Sequence, residues 1–228
     1  MKILALETSS ERCSAALLID GDVREQAQTA VRAHAEMILP MVDALLAEAG
    51  VTMPQLDALA FGRGPGGFTG VRVATAVVQG LAFGAERPVV PVSDLMALAA
   101  GAFRQHDKRK ILACLDARLN EVYWCVYEIT GPDQIIEYLP EQLSAAEMVQ
   151  PPSAGPWFGA GSGFAAYGQA LSARLGSALN GQDAALLPQA RDIASLAVRL
   201  FAQGHAVSAD QALPVYLRDR VAWPKLGL

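Results

Sequence analysis

Short apolar runs alternate with helix-spaced apolar residues in the N-terminal half of the chain. Apolar positions between residues 37 and 49 recur about every three or four residues and predict a first helix that ends at Gly50. A second helix is predicted over residues 69–83, directly after a glycine-rich stretch. Strands are predicted over residues 2–6, 13–20, 56–61 and 88–92, and from Val23 after a hairpin at 20–22. This order is typical of an α/β layered unit.

The C-terminal half has a different pattern, with an antiparallel meander before its helices. Its predicted elements are strands over residues 111–116, 122–129 and 134–139, a Pro/Gly-rich connection over 151–156, helices over 165–175 and 192–203, and an extended tail over 214–220. We interpret the chain as two sub-domains, residues 1–103 and 104–228. The tail, from about 213 to 228, is expected to return to the first sub-domain.

Composition narrows the class of protein. The 228-residue chain is 52% apolar and 18% charged, which excludes intrinsic disorder. A formal net charge of −5 without a long basic run gives no electrostatic basis for unaided nucleic-acid binding. The longest uncharged apolar run, residues 73–85, is shorter than the roughly 18 residues of a membrane span, and no signal peptide is recognisable. Three separated cysteines (Cys13, Cys114, Cys125) fit reduced, buried thiols, so a cytoplasmic location is expected.

The stretch GRGPGGFTG, residues 62–70, lies between a predicted strand and a predicted helix. Backbone N–H groups in such a place can hold an anion, and Gly64, Gly66 and Gly67 are the candidates. The stretch lacks the Lys-Ser/Thr of a Walker A loop, and Pro65 departs from the dinucleotide fingerprint. The alternative is a turn in which glycine allows close approach to the next helix.

Catalytic residues are sparse. Four carboxylates (Glu7, Asp57, Asp94 and Asp116) lie at or near predicted strand ends, but nothing in the sequence pairs them. His34 has no second histidine at the spacing of a zinc-binding helix, because Ile38 occupies that position. A serine nucleophile motif is also missing. The sequence therefore predicts neither a catalytic centre nor a metal site.

Both predicted N-terminal helices carry few charges. The first has only Glu36, Asp43 and Glu48, and the second has only Arg72 between residues 71 and 85. A helix covering one side of a sheet normally exposes a wide polar face. Either both helices are buried by the second half of the chain, or they form a protein–protein interface.

Five sequence motifs resemble those of the TsaB family, also called YeaZ. They are KILALETSSERCSAALL at the start, AHAEMILPMVDALL, GRGPGGFTGVRVATAVVQGLAFG, LDARLNEVYWCVY and the tail PVYLRDRVAWPK. The resemblance covers residues 2–127 and 214–225, and residues 140–212 carry little of it.

This resemblance implies an actin-like/Hsp70-like/sugar-kinase fold, which is ribonuclease H-like and has two related sub-domains. It implies a non-catalytic scaffold that activates a TsaD-like transferase, in forming threonylcarbamoyladenosine at position 37 of tRNAs that read codons beginning with A. A TsaE-like ATPase would join the pair, and a homodimer would form in the partner's absence. ATP and metal are expected on the partner proteins, with no cofactor on this chain, and tRNA is expected to be bound mainly through the partners.

The resemblance places the partner contact on helices one and two. The predicted contact residues are His34, Met37, Ile38, Met41, Leu45, Val71, Ala74, Val78 and Leu81. Arginine at Val78 or Leu81 is expected to abolish association and leave the fold intact.

The resemblance also implies a pseudo-enzyme. Asp94 and Leu98 stand where TsaD-like proteins carry a metal-binding histidine pair, and a leucine cannot ligate metal. Glu7 stands where actin-like ATPases have the aspartate of their phosphate loop, and Ser9 and Ser10 replace the glycine that lets phosphate approach. Weak nucleotide binding or none is therefore expected. The alternative is a small ATPase or kinase of the same fold, with phosphate on the Gly-rich loop and Glu7 or Asp116 as base. A peptidase is disfavoured because no metal triad or Ser/Cys–His pair can be assembled.

Overall fold

A computed structural model describes residues 1–29, 33–131 and 134–218. The helices are α1 (His34–Ala49), α2 (Phe68–Ala85), α3 (Asp94–His106), α4 (Ser162–Leu175) and α5 (Ala190–Ala202). The strands of the first sheet are β1 (Lys2–Glu7), β2 (Arg12–Ile19), β3 (Asp22–Thr29), β4 (Ala58–Gly62) and β5 (Val89–Val92). Those of the second are β6 (Lys110–Arg118), β7 (Glu121–Gly131), β8 (Gln134–Glu137), β9 (Gln142–Ala145), β10 (Trp157–Ala160) and β11 (Leu179–Asp183).

The two sheets share one strand order. The first is β3-β2-β1-β4-β5, with an antiparallel β1–β2–β3 meander followed by parallel β4 and β5. The second repeats it as β8-β7-β6-β10-β11, antiparallel across β6–β7–β8 and parallel across β6–β10–β11, with β9 added beside β7. A repeated order of this kind confirms two related sub-domains.

The helices do not follow the predicted division at residue 103. Helix α5, in the predicted second sub-domain, packs Ile193 and Ala197 against the inner face of the first sheet. Helix α3, in the predicted first sub-domain, packs Leu95 and Leu98 against the second sheet. The two inner helices meet at an Arg104–Asp192 ion pair of 2.8 Å, so each half completes the core of the other. The boundary prediction is therefore corrected: no single point in the chain separates the two layers.

The sequence analysis missed α3 entirely. This helix is short and contains four alanines, so large apolar side chains mark it less clearly than they mark α1. Ser93 caps the N-terminus of the helix, because its hydroxyl oxygen accepts a hydrogen bond from the Met96 N–H at 3.1 Å. Serine is a preferred N-cap residue, so this position was a sequence signal for the start of a helix.

Helices α1 and α2 cover the outer face of the first sheet side by side. Apolar side chains of both helices enter one core with Leu4, Leu6 and Phe61 of the strands beneath. Helix α4 covers the outer face of the second sheet. By length and composition α2 passes the test for a membrane span, the one such helix among the described residues. Its inner side packs on the core of the first sheet.

Candidate functional site

The predicted contact residues on α1 and α2 separate into two groups. Six of them are buried: Ile38, Met41, Leu45, Ala74 and Val78 lie in the core of the chain's own first sheet, and Val71 lies beside Gly64 of the Gly-rich loop. A side chain in this position cannot touch a partner without unpacking the sheet. The prediction is therefore wrong for these six, which are core residues. His34, Met37 and Leu81 remain half-buried at the edges of the helices.

The outward side of the two helices combines small and apolar residues with the exposed acidic residues Glu36, Asp43 and Glu48 of α1. We call this surface the docking face, and it consists of Leu39, Pro40 and Ala44 of α1 with Ala76, Gly80, Phe83 and Gly84 of α2. Phe83 is 81% exposed, and Gly80 and Gly84 have open space where a side chain would stand. A shallow groove of about 270 Å³ beside them is lined by Met53, Pro54, Gly80, Leu81, Gly84 and Ala85. An uncharged groove next to a protruding phenylalanine is the shape of a protein-binding surface.

His34 has a structural role at the start of α1. Its Nε2 lies 2.8 Å from the carbonyl oxygen of Ser10, to which it donates. This contact ties the helix to the turn between β1 and β2, so the imidazole is engaged within the chain.

The Gly-rich loop folds tightly against the β1–β2 turn. The Gly67 N–H donates to the carbonyl oxygen of Ser9 at 2.7 Å, and the Gly64 N–H donates to Asp94 Oδ2 at 2.5 Å. A Cβ on Gly66 would come within 2.7 Å of the Ser9 side chain. Two of the three predicted anion-binding amides therefore already have partners inside the chain. These contacts favour the close-packing alternative for the loop.

Glu7 and Asp94 come together at the ends of neighbouring strands, a pairing that the sequence analysis missed. Glu7 ends β1, Asp94 follows β5, and Gly62 ends β4 between them. Both carboxyl groups are fully buried, and a Cβ on Gly62 would overlap Glu7 Oε2 and Asp94 Oδ1. Burial raises the pKa of Asp94 well above its ordinary value, and the neighbouring Glu7 charge raises it further. The signal was available, because parallel strands β1, β4 and β5 bring their carboxyl ends to one edge.

Asp116, the other candidate base, is held by its neighbours at the β6–β7 hairpin. Its Oδ1 accepts from the Arg118 N–H at 2.7 Å and from the Tyr167 hydroxyl at 3.1 Å. Its backbone N–H donates to the Ser162 hydroxyl. Within the described part of the chain, no group of three His, Cys, Asp or Glu side chains could hold a metal ion.

The three cysteines are free and buried. Burial raises the pKa of Cys13 to about 11 and that of Cys125 to about 12, and it raises the pKa of Cys114 further. These thiols are therefore poor nucleophiles at neutral pH.

The tail crosses from the first sub-domain to the second. Val215 N–H donates to the Arg63 carbonyl oxygen at 2.8 Å, and the Tyr216 hydroxyl accepts from Arg72 Nε at 2.9 Å. Arg218 then pairs with Glu121 at 2.6 Å and donates to the carbonyl oxygen of Ala117 at 3.0 Å. Residues 213–218 thus form a strap between the Gly-rich loop and the β6–β7 hairpin. The rest of the predicted tail, 219–228, lies outside the described residues.

Arg218→Met is expected to lower the free energy of unfolding by about 1–2 kcal/mol. The side chain is only 19% exposed in its ion pair, and its loss leaves Glu121 and a carbonyl oxygen without their donor. Urea unfolding of the purified chain measures the change. Arg118→Met is the matched control, since the Arg118 side chain is 86% exposed and its ion pair is with Asp116 of its own hairpin. Equal losses for the two variants would contradict the strap.

Comparison with known proteins gives full-length relatives. The family model described as TsaD, tRNA N6-adenosine threonylcarbamoyltransferase, matches residues 25–226. A protein of Escherichia coli (strain K12) named tRNA threonylcarbamoyladenosine biosynthesis protein TsaB is 41% identical over 99% of this chain and 98% of its own length. The chain belongs to the TsaB family. A Haemophilus influenzae protein of the same name is 44% identical over 99% of this chain and 97% of its own.

A solved structure shows the same fold. YeaZ from Pseudomonas aeruginosa is 46% identical and superposes with a TM-score of 0.88, covering 95% of this chain and 99% of that one. Together with the TsaD-type family match and the repeated sheet order, this similarity confirms the predicted actin-like α/β fold with two related sub-domains.

Proposed function

We propose that this TsaB-family chain serves tRNA threonylcarbamoyladenosine biosynthesis as a non-catalytic partner of a TsaD-like transferase. The product would be the modified adenosine at position 37 of tRNAs that read codons beginning with A. The observation that carries the proposal is the docking face, where Phe83 stands exposed beside a groove made by Gly80 and Gly84. By stabilising one conformation of the transferase, the chain would shift that protein toward its active state.

The contacts of the Gly-rich loop and the buried carboxyl pair at the strand ends support the proposal that this chain is not a catalyst. The Gly-rich loop directs two amides to Asp94 and Ser9, and a fully buried carboxyl pair lies where α/β proteins place ligands. Both features oppose binding of a phosphate. We therefore propose that ATP and metal belong to the partner proteins.

The remaining partners follow from the same surface. Homodimer and heterodimer would compete for the docking face, and a TsaE-like ATPase would join the heterodimer. The exposed charges of α1 (Glu36, Asp43 and Glu48) are all acidic, as is the chain's net charge of −5. This balance supports contact with tRNA mainly through the partners, in the cytoplasm.

Ala76→Arg is expected to eliminate the heterodimer with the TsaD-like protein of the same source. An arginine on the outward side of α2 would place a bulky charge in the apolar contact, which weakens binding by more than about thirtyfold, or 2 kcal/mol. Size-exclusion chromatography with light scattering, on this chain alone and mixed with the partner, measures the association. Ala173→Arg is the matched control, because Ala173 is exposed on α4 of the other sub-domain.

An intact complex with Ala76→Arg, or no complex with the unaltered chain well above micromolar concentration, would contradict the proposal. The ATPase alternative would then be examined by nucleotide titration followed by phosphate release. Saturable binding of ATP with release of phosphate by this chain alone would establish that alternative.

A further inference from the structure

The buried pair of Glu7 and Asp94 has an unbalanced set of hydrogen bonds. Glu7 Oε1 accepts from the Ser9 N–H at 2.5 Å and from the Ser9 hydroxyl at 2.6 Å. Asp94 Oδ2 accepts from the Gly64 N–H at 2.5 Å. The two remaining oxygens, Glu7 Oε2 and Asp94 Oδ1, are buried without a hydrogen-bond partner among the described residues, and both border Gly62. Two carboxylate oxygens cannot face each other in this way unless something positive lies between them.

No cationic side chain fills that role in the described part of the chain. None of the ion pairs found there includes Glu7 or Asp94. Arg63, next to Gly62 in sequence, donates from both terminal guanidinium nitrogens, Nη1 and Nη2, to Glu141 at 3.2 Å. The other titratable group near the pair is the Cys13 thiol of β2, whose pKa is raised by burial and by the charge of Glu7.

We propose that Glu7 and Asp94 hold one proton between them at neutral pH, and that this proton-bridged pair permanently occupies the strand-end site. The proton resides on Asp94 and is donated from Oδ1 to Glu7 Oε2. The negative charge rests on Glu7, which has two donors from Ser9 against the single amide donor of Asp94. Each of the four oxygens then has a partner.

The pair also anchors the start of α2. Asp94 holds Gly64, and Ser9 links Glu7 to the Gly67 amide through its own carbonyl oxygen. Loss of the shared proton would leave two buried negative charges beneath the Gly-rich loop. The shared proton therefore holds this edge of the sheet together, where other α/β proteins bind a ligand. The net negative charge of the pair excludes phosphate.

Stability should consequently fall as pH rises. Asp94 has a raised pKa in the folded state, so the folded chain retains a proton that the unfolded chain releases above about pH 4. The stabilisation is complete below that pH and is lost as pH rises toward the folded pKa. Within this window the unfolding equilibrium constant increases by up to about tenfold per pH unit.

The Asp94→Asn variant distinguishes the pH dependence caused by the pair from that caused by other titrating groups. Asparagine can keep Oδ1 as acceptor for Gly64 and donate from Nδ2 to Glu7, as the protonated acid does. Urea unfolding at pH 5 and at pH 7 gives the unfolding equilibrium constant of each protein. The constant of the unaltered chain divided by that of the variant should be at least about tenfold larger at pH 7 than at pH 5. A ratio that stays constant would overturn the proposal.

Carbon-13 NMR of labelled aspartate side chains tests the proton directly in the unaltered chain. The chemical shift of the Asp94 carboxyl carbon, identified by its loss in Asp94→Asn, should still be that of the protonated acid at pH 7. In Glu7→Gln the Asp94 carboxyl should titrate at lower pH, since the neighbouring charge is gone. An Asp94 carboxyl that is fully ionised at pH 7 would overturn the proposal. So would stabilisation by Mg²⁺ or Ca²⁺ at pH 8 that disappears in Asp94→Asn, because a cation would then bridge the pair.

Discussion

Val78→Arg is expected to unfold the chain, whereas Ala76→Arg, two positions away on the same helix, leaves it folded. Val78 is completely buried in the core between α2 and the first sheet. An arginine there would bury a charge with no partner, at a cost of several kcal/mol. Domains of this kind are stable by about 5–15 kcal/mol, so one such replacement removes much or all of that stability. Ala76 faces outward, and its replacement is expected to change stability by less than about 0.5 kcal/mol.

Circular dichroism and urea unfolding of the two variants measure this contrast. The Val78→Arg protein should be insoluble or lack a cooperative transition, while Ala76→Arg should keep the transition of the unaltered chain and lose only the partner. A cooperative transition for Val78→Arg with unchanged midpoint would show that the residue faces solvent, and the assignment of the docking face would be wrong.

Most of the predicted contact residues lie on the inner side of α1 and α2. Ile38 and Leu45 of α1 and Val78 of α2 pack on the sheet because burial of large apolar side chains stabilises the core. The outward row of α2 contains mainly alanine and glycine, which a search for large apolar residues overlooks. The shortage of charge on α2, with Arg72 alone near its start, is the sequence feature that supports the proposed docking face.

Eight of the eleven strands in the described part of the chain were predicted, because apolar runs and turn residues mark them directly, whereas β9, β10 and β11 were missed. Prediction failed where structure depends on contacts distant in sequence. The exchange of α3 and α5 between the sheets leaves no local pattern, since either helix would be equally apolar on its own sheet. The pairing of Glu7 with Asp94 depends on β1, β4 and β5 lying side by side, which single-sequence reasoning did not combine with the identity of Gly62.

Gly70→Ala is expected to destabilise the chain by about 2–3 kcal/mol, although alanine is normally preferred to glycine inside a helix. Gly70 lies in the first turn of α2, and a Cβ there would overlap the backbone carbonyl oxygen of Thr8. Backbone cannot move aside as a flexible side chain would, and forced overpacking typically costs 1–3 kcal/mol. The replacement would also disturb the 2.6 Å hydrogen bond from the Thr8 hydroxyl to the Gly70 carbonyl oxygen.

Gly80→Ala in the same helix is the matched control, and it is expected to increase the free energy of unfolding rather than to lower it. Nothing lies within 4 Å of a Cβ at Gly80, so only helix propensity acts and the variant should gain about 0.5–1 kcal/mol. Urea unfolding of both variants gives the two changes in free energy. A gain at both positions would mean that α2 does not press on the β1–β2 turn. A loss at Gly70 alone would establish that α2 presses on Thr8 of the β1–β2 turn.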